Sequence, residues 1–269
     1  MSSTVAKQRL DRLLTDRGLF DSRTSAAASV MAGEVLVGLG ERRAQKPGEL
    51  VDVAEVLRVA ERASFVSRGG IKLANALAAT ELSVAGRSAL DVGASTGGFT
   101  DCLLQRGARG VVAVDVGYGI LAWSLRTDPR VHVLERTNAR TLSPAMLPYT
   151  PDLAVVDVSF ISLLKVLAPL LGCLAEGYDV LALIKPQFEL GRGRIGKGGV
   201  VRAAEDRRAA LLAVGEGALA LGAAVLGYYS SGLPGPKGNR ETFIWLADPR
   251  YRAGHAREQL GELVREVEP

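Results

Sequence analysis

Ser88-Ala89-Leu90-Asp91-Val92-Gly93-Ala94-Ser95-Thr96-Gly97-Gly98-Phe99-Thr100 sets the architecture of this chain. A short, mainly apolar strand pattern runs into a loop of glycines and small side chains, and a helix pattern over 98–106 follows at once. Small residues let the backbone approach a ligand closely, and a helix N-terminus offers free N–H groups. The spacing is neither the GxGxxG of dinucleotide folds nor a P-loop, because no GK[ST] follows. A second strand, Gly110–Val114, leads to Asp115, and an acid there can accept both hydroxyls of a nucleoside ribose. A loop that lacks the pyrophosphate fingerprint but keeps the ribose acid suits S-adenosylmethionine. The candidate cofactor residues are Asp91, Gly93, Ala94, Ser95, Thr96, Gly97, Gly98, Phe99 and Asp115. Asn138, after a third strand, either meets an adenine edge or serves as a turn residue.

Working outward, further buried-strand patterns cover 131–134, 153–158, 180–184, 223–228 and 242–246, with helix patterns at 162–174 and 202–221. Strand and helix in alternation predict an α/β, Rossmann-like sandwich around a mainly parallel seven-stranded sheet. No clear helix separates the last two strands, so an antiparallel strand is expected at that edge. Upstream the rhythm differs. Helix patterns begin at Arg9, closed by Gly18, and at Arg23, capped by Ser22 and ended by Gly33. Short strands surround Val35, Val37 and Leu39, and Leu50, Val51 and Val53, with a turn at Lys46-Pro47-Gly48. The expected organisation is a small α+β domain over 1–60, a linker over 61–66 and the large domain over 67–269.

Composition narrows the chemistry. Of 269 residues 48% are hydrophobic, enough for a sizeable core, and the net charge of +4 permits an acidic partner. Two cysteines and two dispersed histidines exclude a disulfide scaffold and a histidine-rich metal site, so no metal is expected. No signal-peptide pattern opens the chain. The most apolar stretch, 211–229, is broken by Glu216 and glycines and is no membrane span, so a cytoplasmic protein is expected. His132, Cys102, Trp123 and Trp245 read as core or packing residues.

Acid–base work then falls to Lys, Asp and Glu. Asp157 ends the fourth strand and Lys185 the fifth, where ligands bind in open α/β sheets. Glu241 begins the last strand, and Lys72 lies in the helix before the first. Asp157-Val158-Ser159-Phe160 stands where amino-group methylation of bases would require Asp/Asn-Pro-Pro-Tyr. Cys173, placed inside a predicted helix, is no nucleophile for pyrimidine carbon methylation. A Lys/Asp/Glu site suits deprotonating and positioning a hydroxyl.

These residues carry a resemblance to a known family over nearly the whole chain. The sequence resembles the TlyA family, the bacterial haemolysin-A-like ribosomal RNA ribose methyltransferases. Arg9-Leu10-Asp11, Gly18-Leu19, Ser22-Arg23, Gly33 and Lys46-Pro47-Gly48 resemble the small RNA-binding domain named after ribosomal protein S4. Ser67-Arg68-Gly69-Gly70, Asp91 to Phe99, Asp157 to Ser162, Lys185 to Glu189 and Pro234-Gly235-Pro236 resemble the FtsJ-like methyltransferase domain. The resemblance implies a catalytic tetrad of Lys72, Asp157, Lys185 and Glu241. It implies S-adenosylmethionine-dependent 2′-O-methylation of cytidines in 23S and also 16S ribosomal RNA, an event linked to capreomycin and viomycin susceptibility. By the resemblance, members with an extended N-terminus and a complete C-terminal helix, the latter matched here by the helix pattern over 250–268, tend to act on both 50S and 30S subunits. Two departures stand out: Val35-Leu36-Val37-Gly38 replaces the usual Val-Asn-Gly, and the linker differs in length and lacks tryptophan.

The expected mechanism is attack of a ribose 2′-oxygen on the cofactor's methyl group. Lys185 stabilises the developing alkoxide or accepts its proton, Asp157 orients Lys185, and Glu241 holds Lys72. As general base Lys185 would need a lowered pKa, towards which a neighbouring Lys72 would push. Candidate RNA contacts are Arg9, Arg12, Arg23, Arg68, Arg192, Arg194 and Lys197. Five basic residues between Lys185 and Arg202 face one acid, Glu189, and mark a phosphate-contacting lid or a solvated loop. In the first 23 residues five basic side chains face three acids, a modest excess. A monomer binding ribosomal RNA, without membrane contact, is expected. The competing readings are an RNA-binding or ribosome-assembly protein without catalysis, a haemolysin, and a methyltransferase for a small-molecule hydroxyl.

Overall fold

The computed structural model describes residues 6–31, 33–59, 64–196 and 198–268. The chain divides into two compact units, at residue 63. Residues 61–63 of the expected linker lie outside the described residues. Ser64 to Val66 already belong to the larger unit: Gln105 Nε2 donates to the Ser64 carbonyl at 2.9 Å and Val66 N to Asp101 Oδ2 at 2.8 Å. Phe65 packs so tightly on Gly70 that a Cβ there would collide with its ring.

In the small unit β1 (Lys7–Arg9) runs into α1 (Leu10–Asp16), followed by α2 (Arg23–Met31). Ser22 Oγ accepts from Ser25 N at 3.1 Å, the N-cap its sequence position predicts. Gly18 follows α1 at φ +69°, the left-handed conformation that favours glycine. β2 (Val35–Val37) pairs antiparallel with β3 (Arg42–Arg43) and β5 (Leu57–Val59), and β4 (Leu50–Asp52) pairs with β1. Leu39 and Val53, read as strand residues, lie in turns beyond β2 and β4. Leu10, Leu13, Leu14, Ala26, Val30, Val35 and Val37 form this unit's own core.

The large unit runs α3 (Arg68–Thr80), β6 (Ser88–Val92), α4 (Gly98–Gln105), β7 (Gly110–Val114), α5 (Trp123–Arg126) and β8 (Val131–Leu134). It continues with β9 (Leu153–Val156), α6 (Leu164–Leu171), β10 (Asp179–Ile184), α7 (Pro186–Glu189), α8 (Ala204–Ala220), β11 (Ala224–Ser230), β12 (Thr242–Ala247) and α9 (Leu260–Val267). The seven strands lie in the order β11-β12-β10-β9-β6-β7-β8. Only β12 runs antiparallel, and it occupies the slot beside the edge strand β11 rather than the edge itself. Alternate residues of each strand enter two cores. Leu90, Val92, Val112 and Ala154 join the layer with α6, α8 and α9, while Ala89, Val111, Leu153 and Val155 join that with α3 and α4. Burial on both faces explains why these strands read as unbroken apolar runs.

Three sequence expectations need correction. Trp123 is 75% exposed at the start of α5, and His132 is exposed on the edge strand β8, where no further strand covers it. Cys173 is buried but lies in the turn beyond α6. The amino-terminal end of the sheet is tied shut: Asp179 takes Arg87 at 3.1 Å and Trp245 Nε1 at 2.9 Å. Among the described residues no helix is long and apolar enough to cross a membrane. Leu90 is fully buried on the central strand. Leu90→Ala should therefore cost about 2–5 kcal/mol, read as a lower urea midpoint with an unchanged slope.

Candidate active site

The glycine loop lies against the next strand over. Gly93 has φ +88°, and a Cβ there would collide with the Asp157 carbonyl oxygen. Only glycine permits both the conformation and this approach. Beyond it, Ser95 N donates to Asp115 Oδ2 and Gly117 N to Asp115 Oδ1, each at 2.7 Å. The Asp115 carboxylate is thus held by backbone while keeping lone pairs for a ligand. A cavity of about 460 Å³ opens here, lined by Gly93, Ser95, Asp115, Asn138, Asp157 and Phe160. Asn138 Oδ1 accepts from Arg140 N at 3.0 Å, so the residue is both the turn cap and a cavity wall.

The other loop candidates divide by burial. Thr96 is exposed at the tip, whereas Ala94, Gly97 and Gly98 are buried. Phe99 sits in the core with its ring 5.8 Å from that of Phe243. Asp91 is completely buried; Thr100 Oγ1 donates to its Oδ2 at 2.6 Å and its Oδ1 has no partner. Burial pushes its carboxyl up to about 7, against the pull of Thr100 and helped by Asp157 and Asp115. A cavity lined by Asp115, whose carboxylate keeps lone pairs for a hydroxyl pair, fits a nucleoside ligand such as S-adenosylmethionine.

The four charged candidates form two ion pairs. Lys72 Nζ lies 2.5 Å from Glu241 Oε2, both groups almost fully buried. Lys185 Nζ lies 2.5 Å from Asp157 Oδ1 and donates to Ser159 Oγ at 2.8 Å. Lys185 and Glu241 line a second cavity of about 470 Å³, with Ser159, Phe160, Gln187, Phe188 and Asn239. Ser159 and Phe160 line both cavities, and the Asp157–Lys185 pair joins one to the other. Phe160 is 91% exposed in a left-handed conformation, φ +65°, with its ring 5.1 Å from that of Phe188. A bulky residue held so marks a functional site more often than a packing need.

The basic candidates are mostly paired. Arg9 and Arg23 share Asp11, at 2.8 and 3.1 Å, and Arg9 chiefly holds that carboxyl far below the usual range. Arg12 lies 3.6 Å from Asp16, and Arg194 lies 3.9 Å from Asp206. Arg68 Nη2 donates to the Pro234 carbonyl at 2.9 Å. Lys197 and the Arg192 side chain lie outside the described residues. Sequence reasoning missed Ser159, Thr100 and Gln187; the signal for Ser159 was its spacing, two residues past Asp157.

Asp91 makes stability depend on pH. Between the ordinary aspartate value and about 7 the folded, cofactor-free protein keeps a proton that the unfolded chain has lost, so stability falls as pH rises through that window. Asp91→Asn should remove this loss, gaining a few kcal/mol at pH 8 at about 1.4 kcal/mol per pKa unit. Thermal melts of both proteins from pH 4 to 8 check it: the gap should widen with pH, and a constant gap would refute the buried charge.

The FtsJ-like methyltransferase family model matches residues 65–248. The 16S/23S rRNA (cytidine-2′-O)-methyltransferase TlyA of Mycobacterium tuberculosis is 51% identical over 251 residues, 92% of each chain. A solved structure described as a hemolysin, from Streptococcus thermophilus, superposes with TM-score 0.73 at 41% identity, covering 98% of this chain and 96% of its own. A Listeria monocytogenes protein described as an S-adenosylmethionine-dependent methyltransferase shares the fold, with TM-score 0.50 at 13% identity over 68% of this chain and 99% of its own. Related over nearly its whole length, the chain belongs to the TlyA group of FtsJ-like, S-adenosylmethionine-dependent methyltransferases.

Proposed function

We propose that this protein methylates the ribose 2′-oxygen of cytidines in ribosomal RNA, within 50S and also 30S subunits. The observation that carries this reading is the Asp157–Lys185 pair, which stands where the cofactor cavity meets a second, lysine-lined cavity. The cofactor supplies a methyl group on a sulfonium, itself a good leaving group. The chain's task is to align the acceptor and manage one proton. Lys185 Nζ, fixed by Asp157 and Ser159, keeps one direction free for the acceptor oxygen, whose developing charge it stabilises or whose proton it takes. Glu241 fixes Lys72 and carries an unpartnered Oε1 in the same cavity wall, ready for a hydroxyl donor. A 2′-hydroxyl is the group that separates RNA from DNA.

In this reading the small unit is an S4-like RNA-binding domain, in which Asp11 sets the Arg9 and Arg23 guanidiniums for phosphate oxygens. Arg68 and the basic segment after Lys185 contact further phosphates. The protein acts as a monomer in the cytoplasm, and its modification governs susceptibility to capreomycin-type antibiotics. The test is methyl transfer from labelled cofactor to separated 30S and 50S subunits lacking the modification. Label is expected on cytidine 2′-oxygens. Lys185→Ala should reduce the rate about 10²–10⁴-fold while cofactor binding persists. Transfer by this variant at the parental rate would remove Lys185 from the mechanism, and no transfer by the parent would remove ribosomal RNA as acceptor.

A further inference from the structure

Gln187 is a polar side chain of the second cavity that lies outside the tetrad. Of the polar residues lining this cavity, Lys237 is exposed to solvent, Lys185 and Ser159 bond each other, and Asn239 uses both ends of its amide. Asn239 Oδ1 accepts from Val201 N at 3.0 Å and its Nδ2 donates to the Gly199 carbonyl at 2.9 Å. Glu241 pairs with Lys72. Gln187 differs: its Oε1 is buried and accepts from nothing. A buried amide carbonyl without a donor weakens the fold. The neighbouring side chain, Phe188, faces the exposed ring of Phe160 across 5.1 Å.

We infer that Gln187 reads the base of the acceptor nucleotide, its Oε1 accepting from the exocyclic amine of a cytosine laid along the Phe160–Phe188 wall. Lys185 takes the ribose of that nucleotide, and Gln187 stands two residues further along the same cavity wall. An extruded base requires an aromatic face and a hydrogen-bonding edge side by side, as Phe188 and Gln187 supply. The amide N–H₂ beside Oε1 then faces the cytosine ring nitrogen, an acceptor, so both polar ends are matched. This assignment rests on the proposed cytidine acceptor.

Gln187→Met keeps the side chain's length and removes its hydrogen bonds. With labelled cofactor and unmodified 50S subunits, kcat/KM for transfer into cytidine should fall about 10- to 100-fold, mainly through KM. The cofactor Kd should stay unchanged, and Tm should hold or rise, because an unsatisfied buried carbonyl has been removed. A parental kcat/KM would overturn the assignment, as would a fall matched by lost Tm or weakened cofactor binding. Label found in uridine rather than cytidine in the parent protein would also overturn it. A parent silent on both subunits marks failure of the acceptor reading itself, and this inference falls with it.

Discussion

Lys72 and Glu241 meet at 2.5 Å although 169 residues separate them, and much of the site follows from seating that pair. Two charges taken from water are tolerable only when their geometry and surroundings compensate for lost hydration. The chain before β12 is accordingly fixed residue by residue. Gly235 lies so close to the Glu241 carboxylate that a Cβ would collide with Oε1. Asn239 ties down Gly199 and Val201, and Arg240 shares the Glu268 carboxylate with Arg207. The end of α9 thereby reaches the segment that carries Glu241. Removing either member of the buried pair leaves a lone charge whose cost far exceeds that of a lost surface contact.

The second pair is built differently. Asp157 keeps 22% of its side chain exposed, and Lys185 stands at the end of a fully buried strand. The strand order places them well. From β6 the chain steps outward to β7 and β8, then returns to β9 on β6's other side. That reversal opens a crevice at the carboxyl ends of β6 and β9. Gly93 ends one strand and Asp157 the other, and the missing side chain at Gly93 brings the cofactor loop onto the Asp157 carbonyl. One backbone contact thus ties the glycine loop to the strand end that carries Asp157, and through Asp157 to Lys185.

The sheet was legible because β6, β7, β9 and β10 are buried along every residue, and the first polar or glycine residue after each run marks the rim. Asp157 and Lys185 announced themselves in this way. The slot of β12 did not, since a hairpin signal says that two strands pair but not which of them meets β10. The partnership of Lys72 with Glu241 came with the family resemblance and not from spacing. Trp123 and His132 were misread because apolar or aromatic character was taken for burial, whereas the β8 edge has no covering layer for them. Gln187 gave no signal: a glutamine after Lys-Pro reads as a solvated residue until a structure shows its carbonyl buried.

The distribution of unsatisfied atoms separates the two ends of the sheet. Six buried side-chain atoms lack a hydrogen-bond partner among the described residues, and four belong to Asp91, Asp157, Gln187 and Glu241. Asp157 Oδ1 has an ion pair there without an aligned hydrogen bond. At the opposite end the buried carboxylates are saturated: Asp179 by Arg87 and Trp245, Asp248 by Arg250 and the Gly177 amide. At that end the fold satisfies the Asp179 and Asp248 carboxylates with several donors each. At the other end it leaves acceptor oxygens of Asp91, Gln187 and Glu241 unpartnered. Of the six unsatisfied atoms, the two outside those four residues are Tyr149 Oη and Arg207 Nε; local rules of polar satisfaction fail most at functional sites.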